Sequence, residues 1–352
     1  MKKIAYSLAI LICCCFNNIA MGQKAETEGM KGVVLTVPDL STVDWPSVAH
    51  ECGLNTIGTH ITPSQVAEFI QTEKGQQFLA DCKKYNIDVE HQLHAIKDLL
   101  PRELFLTDST MFRVDENGHR NNDFNCCVHS KRALDTICKN VIKYVKLLPA
   151  TNHRYYYWLD DGKPTCNCKK CAKYTPSEQA LIIENAMLKA IRKVDPEAKL
   201  AHLAYEITLP APKKVKPAKG IFLEFAPILR RWDAPLSDLT ATNTRKYVMT
   251  HEENLKHLEE NLKVFGVKDA VVLEYWVDVS LFSQWKQPAV DLPWRRDVFE
   301  SDLHTYDSYG LKNFTSFAVY MDSTYFSKYP AMQYLKEYGE GLNHHFKYET
   351  EK

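Results

Sequence analysis

Tyr155–Gly162, which reads YYYWLDDG, is the stretch of sequence that decides the fold. Aromatic side chains are enriched in β-strands, so the run Tyr155–Trp158 predicts a strand of the core. Two adjacent carboxylates, Asp160 and Asp161, follow the run, and Gly162 marks a turn. We therefore predict a central strand whose carboxyl end delivers acidic groups to the mouth of a site.

Short β-branched or aromatic runs recur along the chain and alternate with longer stretches whose apolar residues are spaced three and four apart. Alternation of this kind indicates a parallel sheet covered by helices. The predicted strands are Val33–Val37, Thr56–Ile61, Ile87–His91, Tyr155–Asp161, Lys199–Tyr205, Ile221–Phe225, Ala270–Trp276 and Thr315–Tyr320. The predicted helices include Gly75–Tyr85, Lys131–Leu148, Ser177–Val194 and Glu252–Phe265. Eight β/α units predict an α/β fold of the (β/α)8 TIM-barrel type, with a doubly wound open sheet as the alternative.

Polar residues collect where these strands end, as expected for a barrel that places its chemistry at the carboxyl ends of its strands. The residues at these ends are His60, Glu90, His91, His94, Asp160, Asp161, Tyr205, Glu206, Glu224, Glu274, Trp276, Asp278, Tyr320 and Asp322.

The N-terminus has the layout of a secretory signal peptide: Lys2 and Lys3, then the apolar run Ile4–Phe16, then Ala20–Gly22 before Gln23. We predict a signal peptide over 1–22, a linker over 23–30, a barrel domain over 31–340 and a tail over 341–352. The protein is expected in the periplasm or outside the cell, with a lipoprotein anchored through Cys13–Cys15 as an alternative. No later run is apolar enough to span a membrane.

Lys and Arg together number 44, and so do Asp and Glu. A balanced charge offers no overall field for nucleic acid or an anionic membrane. Phosphate-cradling glycine loops and Gly-x-Ser-x-Gly elbows do not occur in the sequence. The composition therefore favours a neutral or locally recognised partner.

Adjacent Asp160 and Asp161 can divide two roles, one acid protonating a leaving oxygen while the other stays ionised. The competing interpretation is a structural acid at Asp160 and a turn residue at Asp161. Glu224 and Glu274 are charges inside apolar strands, so each faces either substrate or a structural ion pair. His91 and His94, with Glu90 nearby, could bind substrate hydroxyls or could be satisfied core groups.

Aromatic residues near the strand ends could stack on sugar rings while carboxylates bind the hydroxyl groups. This combination favours a carbohydrate ligand. The predicted substrate-binding residues are Glu90, His91, His94, Trp158, Tyr205, Trp276, Asp278 and Tyr320.

Cys166, Cys168 and Cys171 lie close enough in sequence to bind one soft metal ion, commonly zinc. A fourth ligand would come from elsewhere, with Cys126, Cys127 and His129 as candidates. In an exported protein the alternative is a disulfide, for instance to Cys126 or Cys127. We expect structural zinc or disulfides, and no cofactor required for catalysis, because no His-Glu-x-x-His motif occurs.

Several motifs resemble the catalytic domain of glycoside hydrolase family 163, which was first catalogued as a domain of unknown function. The similar segments extend from about Val33 to Tyr320 and comprise Val89–His94, Leu100–Phe105, Phe112–Arg113, Gly118–Arg120, Asp161–Gly162 with the three cysteines, Leu203–Tyr205, Leu223–Ile228 and Glu274–Ser280.

This resemblance implies an endo-β-N-acetylglucosaminidase of the Bacteroides type that cuts inside the chitobiose core of complex N-glycans. It also implies a substrate-assisted reaction, in which the acetamide group of the sugar is the nucleophile. By analogy with such enzymes, Asp161 is expected to be the acid and Asp160 the group that orients the acetamide, with Glu224 and Glu274 as the next candidates. A glycan-binding barrel without turnover is the alternative function, and a metal-dependent hydrolase is a third.

Overall fold

The computed structural model describes residues 29–243 and 247–350, with side chains described as far as residue 345. The predicted signal peptide and residues 23–28 of the predicted linker lie outside the described residues. In the described chain, ten strands and twelve α-helices follow one another in a β/α order.

The strands are β1 (Lys31–Thr36), β2 (Thr56–His60), β3 (Asp88–His94), β4 (Arg154–Trp158), β5 (Lys199–Ala204), β6 (Ile221–Phe225), β7 (Thr242–Asn243), β8 (Met249–Thr250), β9 (Val271–Glu274) and β10 (Phe314–Phe317). The helices are α1 (Val37–Thr42), α2 (Trp45–Glu51), α3 (Pro63–Ile70), α4 (Glu73–Lys84), α5 (Ile96–Leu99), α6 (Lys131–Leu147), α7 (Pro176–Ile191), α8 (His251–Phe265), α9 (Val279–Phe282), α10 (Arg296–Asp307), α11 (Ser323–Lys328) and α12 (Ala331–Thr350).

Eight of the strands close into a parallel barrel in the order β1-β10-β9-β6-β5-β4-β3-β2. Pairing of β1 with both β2 and β10 closes the ring, since Val34 is in register with Gly58 on one side and with Phe317 on the other. All eight predicted strands are confirmed, and closure of the ring excludes the open-sheet alternative. The remaining two strands, β7 and β8, form a separate antiparallel pair.

Two buried clusters divide the core, because successive side chains of a strand point to opposite faces. The smaller cluster joins residues such as Tyr156, Trp158, Leu203 and Tyr275, which alternate along their strands and fill the barrel interior. The larger cluster joins the outward-facing residues to the helices and includes Tyr155, Tyr157 and Trp276.

The helix caps show why the sequence starts its longer helices where it does. Thr175 and Thr250 form capping boxes with the glutamates three residues later, and Ser130 caps α6 through the backbone amide of Ala133. The four helices predicted from apolar spacing correspond to α4, α6, α7 and α8. Because α12 runs to Thr350, the predicted domain boundary at residue 340 falls inside this helix.

None of the helices within residues 29–243 and 247–350 has the length and apolar composition that spanning a bilayer requires.

Candidate active site

A cavity of about 200 Å³ opens at the carboxyl ends of the barrel strands. Its walls combine one exposed acid, one buried acid, two histidines and several aromatic rings. The lining residues that carry polar or aromatic groups are Thr36, His60, His94, Trp158, Asp161, Tyr205, Tyr275, Asp278, Ser280, Trp285 and Phe317.

Asp161 lies three residues after the end of β4, at the turn that Gly162 makes with a φ of 57°. Its side chain is 62% exposed, so water and a ligand can reach it. The Tyr205 hydroxyl donates a hydrogen bond to Asp161 Oδ1 at 3.2 Å, and His94 Nε2 lies 3.6 Å from the same oxygen. Asp161 therefore presents its carboxyl group to the open cavity.

The two histidines beside Asp161 are oriented by backbone carbonyl groups. His94 Nδ1 donates to the Leu159 oxygen, and His60 Nδ1 donates to the Gln92 oxygen, each at 2.7 Å. Burial and the neighbouring His94 lower the pKa of His60 to about 3. His60 is therefore a neutral imidazole that contributes shape and polarity to the wall.

Asp278 is the second carboxyl group of the cavity, and it is buried. The amide and hydroxyl of Ser280 donate to its Oδ1 at 3.0 and 2.7 Å. Burial nevertheless raises the pKa of Asp278 to about 7, against these hydrogen bonds, and the charge of Asp39 adds to the rise. The cavity thus holds one exposed carboxyl group, that of Asp161, and one buried carboxyl group, that of Asp278, which retains its proton to about pH 7.

Aromatic rings form the rest of the wall. Trp158 packs against His94 with ring centroids 5.1 Å apart, and Tyr275 packs against Phe317 at 5.2 Å. Trp285 is 57% exposed at the rim. Burial raises the pKa of the Tyr275 hydroxyl, and Tyr205, Asp278 and Asp161 raise it further, so both acids act on the same hydroxyl group.

Asp160 lies beside this cavity but its carboxylate is turned away, toward the neighbouring loops. Its oxygens accept hydrogen bonds from the backbone amides of Lys97 at 2.8 Å and Asn125 at 2.6 Å. Its own amide donates to Asn125 Oδ1 at 3.0 Å. These contacts match the structural interpretation of Asp160, and the two adjacent aspartates do not face the cavity together.

Glu90 and Glu224 are inside the barrel but do not line the cavity. Glu90 accepts a hydrogen bond from Asn152 and faces Arg154 Nε at 3.5 Å. Neither carboxyl oxygen of Glu224 accepts a geometrically sound hydrogen bond within the described part of the chain, although Trp158 lies close enough to stabilise it. Burial raises the pKa of Glu224, and the nearby Glu90 raises it further, so the barrel interior disfavours the charged form of this group.

The sequence-based placement of Glu274, Trp276 and His91 at the mouth requires correction, because all three point outward from the barrel. Glu274 pairs with Arg230 at 3.0 Å and accepts a hydrogen bond from Tyr306. Trp276 donates to Asp302 on α10. His91 Nδ1 bonds the Thr59 hydroxyl.

Tyr320 also does not line the cavity; its amide donates to Asp39. Of the twelve predicted catalytic and substrate-binding residues, the cavity therefore gathers His94, Trp158, Asp161, Tyr205 and Asp278.

The predicted catalytic and substrate-binding residues did not include His60, Tyr275, Ser280 and Trp285, although His60 was placed at a strand end and Tyr275 and Trp285 are among the aromatic residues near strand ends that could stack on sugars. For Tyr275, the alternation of side chains along a strand could have indicated a position inside the barrel. Leu273 and Tyr275 occupy the same face of β9 and its extension, so placing Leu273 inside the barrel also places Tyr275 there.

The predicted metal-binding residues Cys166, Cys168 and Cys171 are joined by Cys127, one of the three candidates for the fourth ligand. The four sulfur atoms lie within 4.8 Å of one another. None of the eight cysteines in the described part of the chain is joined in a disulfide.

The fold and the cavity together define a (β/α)8-barrel protein with a carboxylate-bearing pocket at the standard position for such barrels. The chain belongs to the family described as Domain of unknown function (DUF4838), whose family model matches residues 59–339. Among curated proteins, none matches the chain.

Three of the solved structures that are similar to this chain carry the names of glycoside hydrolases. A protein described as a glycoside hydrolase is 13% identical, with a TM-score of 0.48 over 82% of this chain and 88% of that one. A glycoside hydrolase family 5 mannosidase from Rhizomucor miehei is 9% identical, with a TM-score of 0.49 over 91% of this chain and 94% of that one. A GH18 chitinase from Pseudoalteromonas aurantia is 8% identical, with a TM-score of 0.49 over 88% of this chain and 99% of that one. The barrel assignment itself rests on the strand pairing of this chain.

Proposed function

We propose that this protein is an exported glycoside hydrolase that cleaves glycans containing N-acetylglucosamine, acting as an endo-β-N-acetylglucosaminidase on N-glycans. The observation that carries the proposal is the mouth cavity, where exposed Asp161 and buried Asp278 stand among aromatic rings. Aromatic faces bind the apolar faces of sugar rings, and two carboxyl groups held in different environments can divide the acid role and the stabilising role in the hydrolysis of a glycoside. The motif resemblance to family 163 supports the same substrate class.

The different environments of the two acids assign their roles. Asp278, which keeps its proton to about pH 7, protonates the glycosidic oxygen as the bond to the anomeric carbon breaks. Asp161, which accepts a hydrogen bond from the Tyr205 hydroxyl, also accepts one from the acetamide N–H of the sugar. Its carboxylate stabilises the positive charge that develops as the acetamide oxygen attacks the anomeric carbon. Asp278 then takes a proton from the water that opens the cyclic intermediate. Asp161 thus takes the orienting role expected for Asp160, and Asp278 the acid role expected for Asp161.

Incubation of the purified protein with a complex-type N-glycoprotein tests the function. We expect release of glycans with one N-acetylglucosamine at the reducing end, and retention of one N-acetylglucosamine on each asparagine, both measured by mass spectrometry. Absence of release across complex, hybrid and high-mannose glycoproteins and chito-oligosaccharides would refute the proposal.

The pH dependence of kcat/KM tests the role of Asp278. Because the acid must be protonated, we expect kcat/KM to fall about tenfold per pH unit above about pH 7. Asp278→Asn should lower kcat/KM for a natural glycan by about 10²- to 10⁴-fold and remove this limb. A nitrophenyl chitobioside, whose leaving group needs no proton, should recover most of the lost rate. An unaltered pH limb in Asp278→Asn would contradict the assignment.

Trp285 tests the aromatic wall, since its ring is 57% exposed at the rim of the cavity. Loss of one stacking face costs about 1 kcal/mol, which corresponds to roughly a fivefold higher KM. We expect Trp285→Ala to raise KM by this amount with little change in kcat. Val290→Ala, an exposed residue of the same loop that does not line the cavity, serves as the matched control and should leave KM unchanged.

A glycan-binding barrel without turnover is the second candidate, and the position of Asp160 favours it. Acetamide-assisted hydrolysis is expected to use two adjacent acids that both reach the substrate. The Asp160 carboxylate instead accepts hydrogen bonds from the backbone amides of Lys97 and Asn125 and is turned away from the cavity. Micromolar binding of chitobiose-containing glycans, together with no product from any of the substrates above, would support this candidate.

A further inference from the structure

Four cysteine sulfurs meet behind the turn that carries Asp160 and Asp161. Cys127 approaches from the loop before α6, while Cys166, Cys168 and Cys171 come from the segment that follows β4. The Cys127 sulfur lies 3.8 Å from the Cys168 sulfur and 3.7 Å from the Cys171 sulfur. Three of the four residues are buried and Cys168 is half-buried.

These separations are those of a tetrahedral metal–thiolate centre. Zinc–sulfur bonds of about 2.3 Å in a tetrahedron place neighbouring sulfurs about 3.8 Å apart. A disulfide, by contrast, joins sulfurs about 2.05 Å apart in pairs and requires no convergence of four. The arrangement of one sulfur equidistant from two others therefore fits a shared ion rather than two bridges.

The chemistry of the donor set fits a zinc ion in a structural role. Thiolates are soft ligands, and four of them complete a tetrahedral shell with no position open for water or substrate. The backbone amide of Val114 donates a hydrogen bond to the Cys166 sulfur at 3.3 Å, the kind of outer contact that orients a metal ligand.

We propose that Cys127, Cys166, Cys168 and Cys171 bind one structural zinc ion that holds together the two loops on either side of the Asp160–Gly162 turn. Asn125 connects the loops next to the proposed site: its side-chain amide donates to the carbonyl oxygens of Lys163 and Pro164 at 3.1 and 3.0 Å. Asn125 precedes Cys127 by two residues, and Pro164 precedes Cys166 by two, so the ion fixes both ends of this connection.

A contact with α7 anchors the cysteine segment to the barrel wall. Gln179 accepts a hydrogen bond from the Cys166 amide and donates to the carbonyl oxygens of Cys166 and Cys171. The zinc site is therefore a rigid support for the turn that presents Asp161, and it is independent of whether the cavity hydrolyses, or only binds, a glycan.

Metal analysis of the purified full chain tests the proposal without reference to activity. We expect one zinc per chain by inductively coupled plasma mass spectrometry, and the strong charge-transfer bands of tetrahedral cobalt–thiolate after exchange with Co²⁺. Native mass spectrometry should show the zinc-bound mass without disulfides.

Cys127→Ser and its neighbour Cys126→Ser form a matched pair, because Cys126 is also buried but its sulfur is outside the cluster. We expect Cys127→Ser to bind less than one tenth of the wild-type zinc and Cys126→Ser to keep all of it. If Cys127→Ser fails to fold, the wild-type metal content and cobalt spectrum decide alone. Disulfides among the four cysteines, stoichiometric iron instead of zinc, or no metal in the wild type would overturn the proposal.

Discussion

Asp161→Asn is expected to lower kcat on a complex N-glycan by about 10²- to 10³-fold while leaving the fold intact. The loss follows from the role of the carboxylate, because an amide cannot stabilise the positive charge of the cyclic intermediate, and removing one such electrostatic group costs this much. The fold should survive because the Asp161 side chain is 62% exposed and its hydrogen bond to Tyr205 is long, at 3.2 Å. Initial rates of glycan release and the thermal unfolding midpoint are the two measurements.

Asp135→Asn is the matched control, since Asp135 is equally exposed but lies on α6 and does not line the cavity. It should retain the wild-type rate. An Asp161→Asn variant that releases glycan at an undiminished rate would remove Asp161 from the mechanism.

Arg230→Met is expected to lower the free energy of unfolding by about 3–5 kcal/mol at pH 8. Arg230 is completely buried and donates to Glu274 at 3.0 Å and to Asp302 at 2.6 Å. Removing the cation leaves two carboxyl groups buried together, and breaking a buried ion pair by deleting one partner has a cost of this size. Urea unfolding followed by tryptophan fluorescence measures the change.

The loss should be smaller at pH 5. Burial raises the pKa of Glu274 to about 7, so this group is protonated at pH 5 and one of the two acidic partners of Arg230 no longer carries a charge. Arg231→Met, one residue along the chain, is the control: Arg231 is about half exposed and pairs, among the described residues, with exposed Asp233, so its loss should cost less than about 1 kcal/mol. Equal losses in the two variants would contradict a special role for the buried cluster.

The strands and the closed barrel could be predicted because their signal is local. β6 (Ile221–Phe225) coincides with its predicted range, and the four long helices differ from theirs by a few residues at most ends. The boundaries of the elements are marked by nearby residues, namely Gly and Pro at their ends and threonine or serine caps at the starts of the helices. Spacing of apolar side chains then fixes the helical faces.

The direction of each strand side chain was the part of the site that sequence reasoning missed. Glu274 and Tyr275 are neighbours, and one faces the helices while the other faces the cavity. Apolar residues fill both faces of a barrel strand, so hydrophobicity does not distinguish them. Sequence reasoning therefore left open whether Glu274 faces substrate or a structural ion pair, and the structure shows the ion pair with Arg230.

The division between Asp160 and Asp161 also depends on contacts that are distant in sequence. The Asp160 carboxylate accepts hydrogen bonds from the backbone amides of Lys97 and Asn125. These two residues belong to loops that come from other parts of the chain and fold against the turn. The same long-range folding selects Cys127 over Cys126 as the fourth member of the sulfur cluster. Neither choice is encoded in the spacing of nearby residues.

A crystal structure with the thiazoline analogue of the N-acetylglucosamine intermediate tests the central claim most directly. The analogue is predicted to lie in the mouth cavity, with its ring nitrogen within hydrogen-bond distance of Asp161 and its sugar face against Trp158 or Tyr205. Binding at another surface, or a cavity that stays free of the analogue at saturating concentration, would contradict the claim that a sugar is bound and cleaved here.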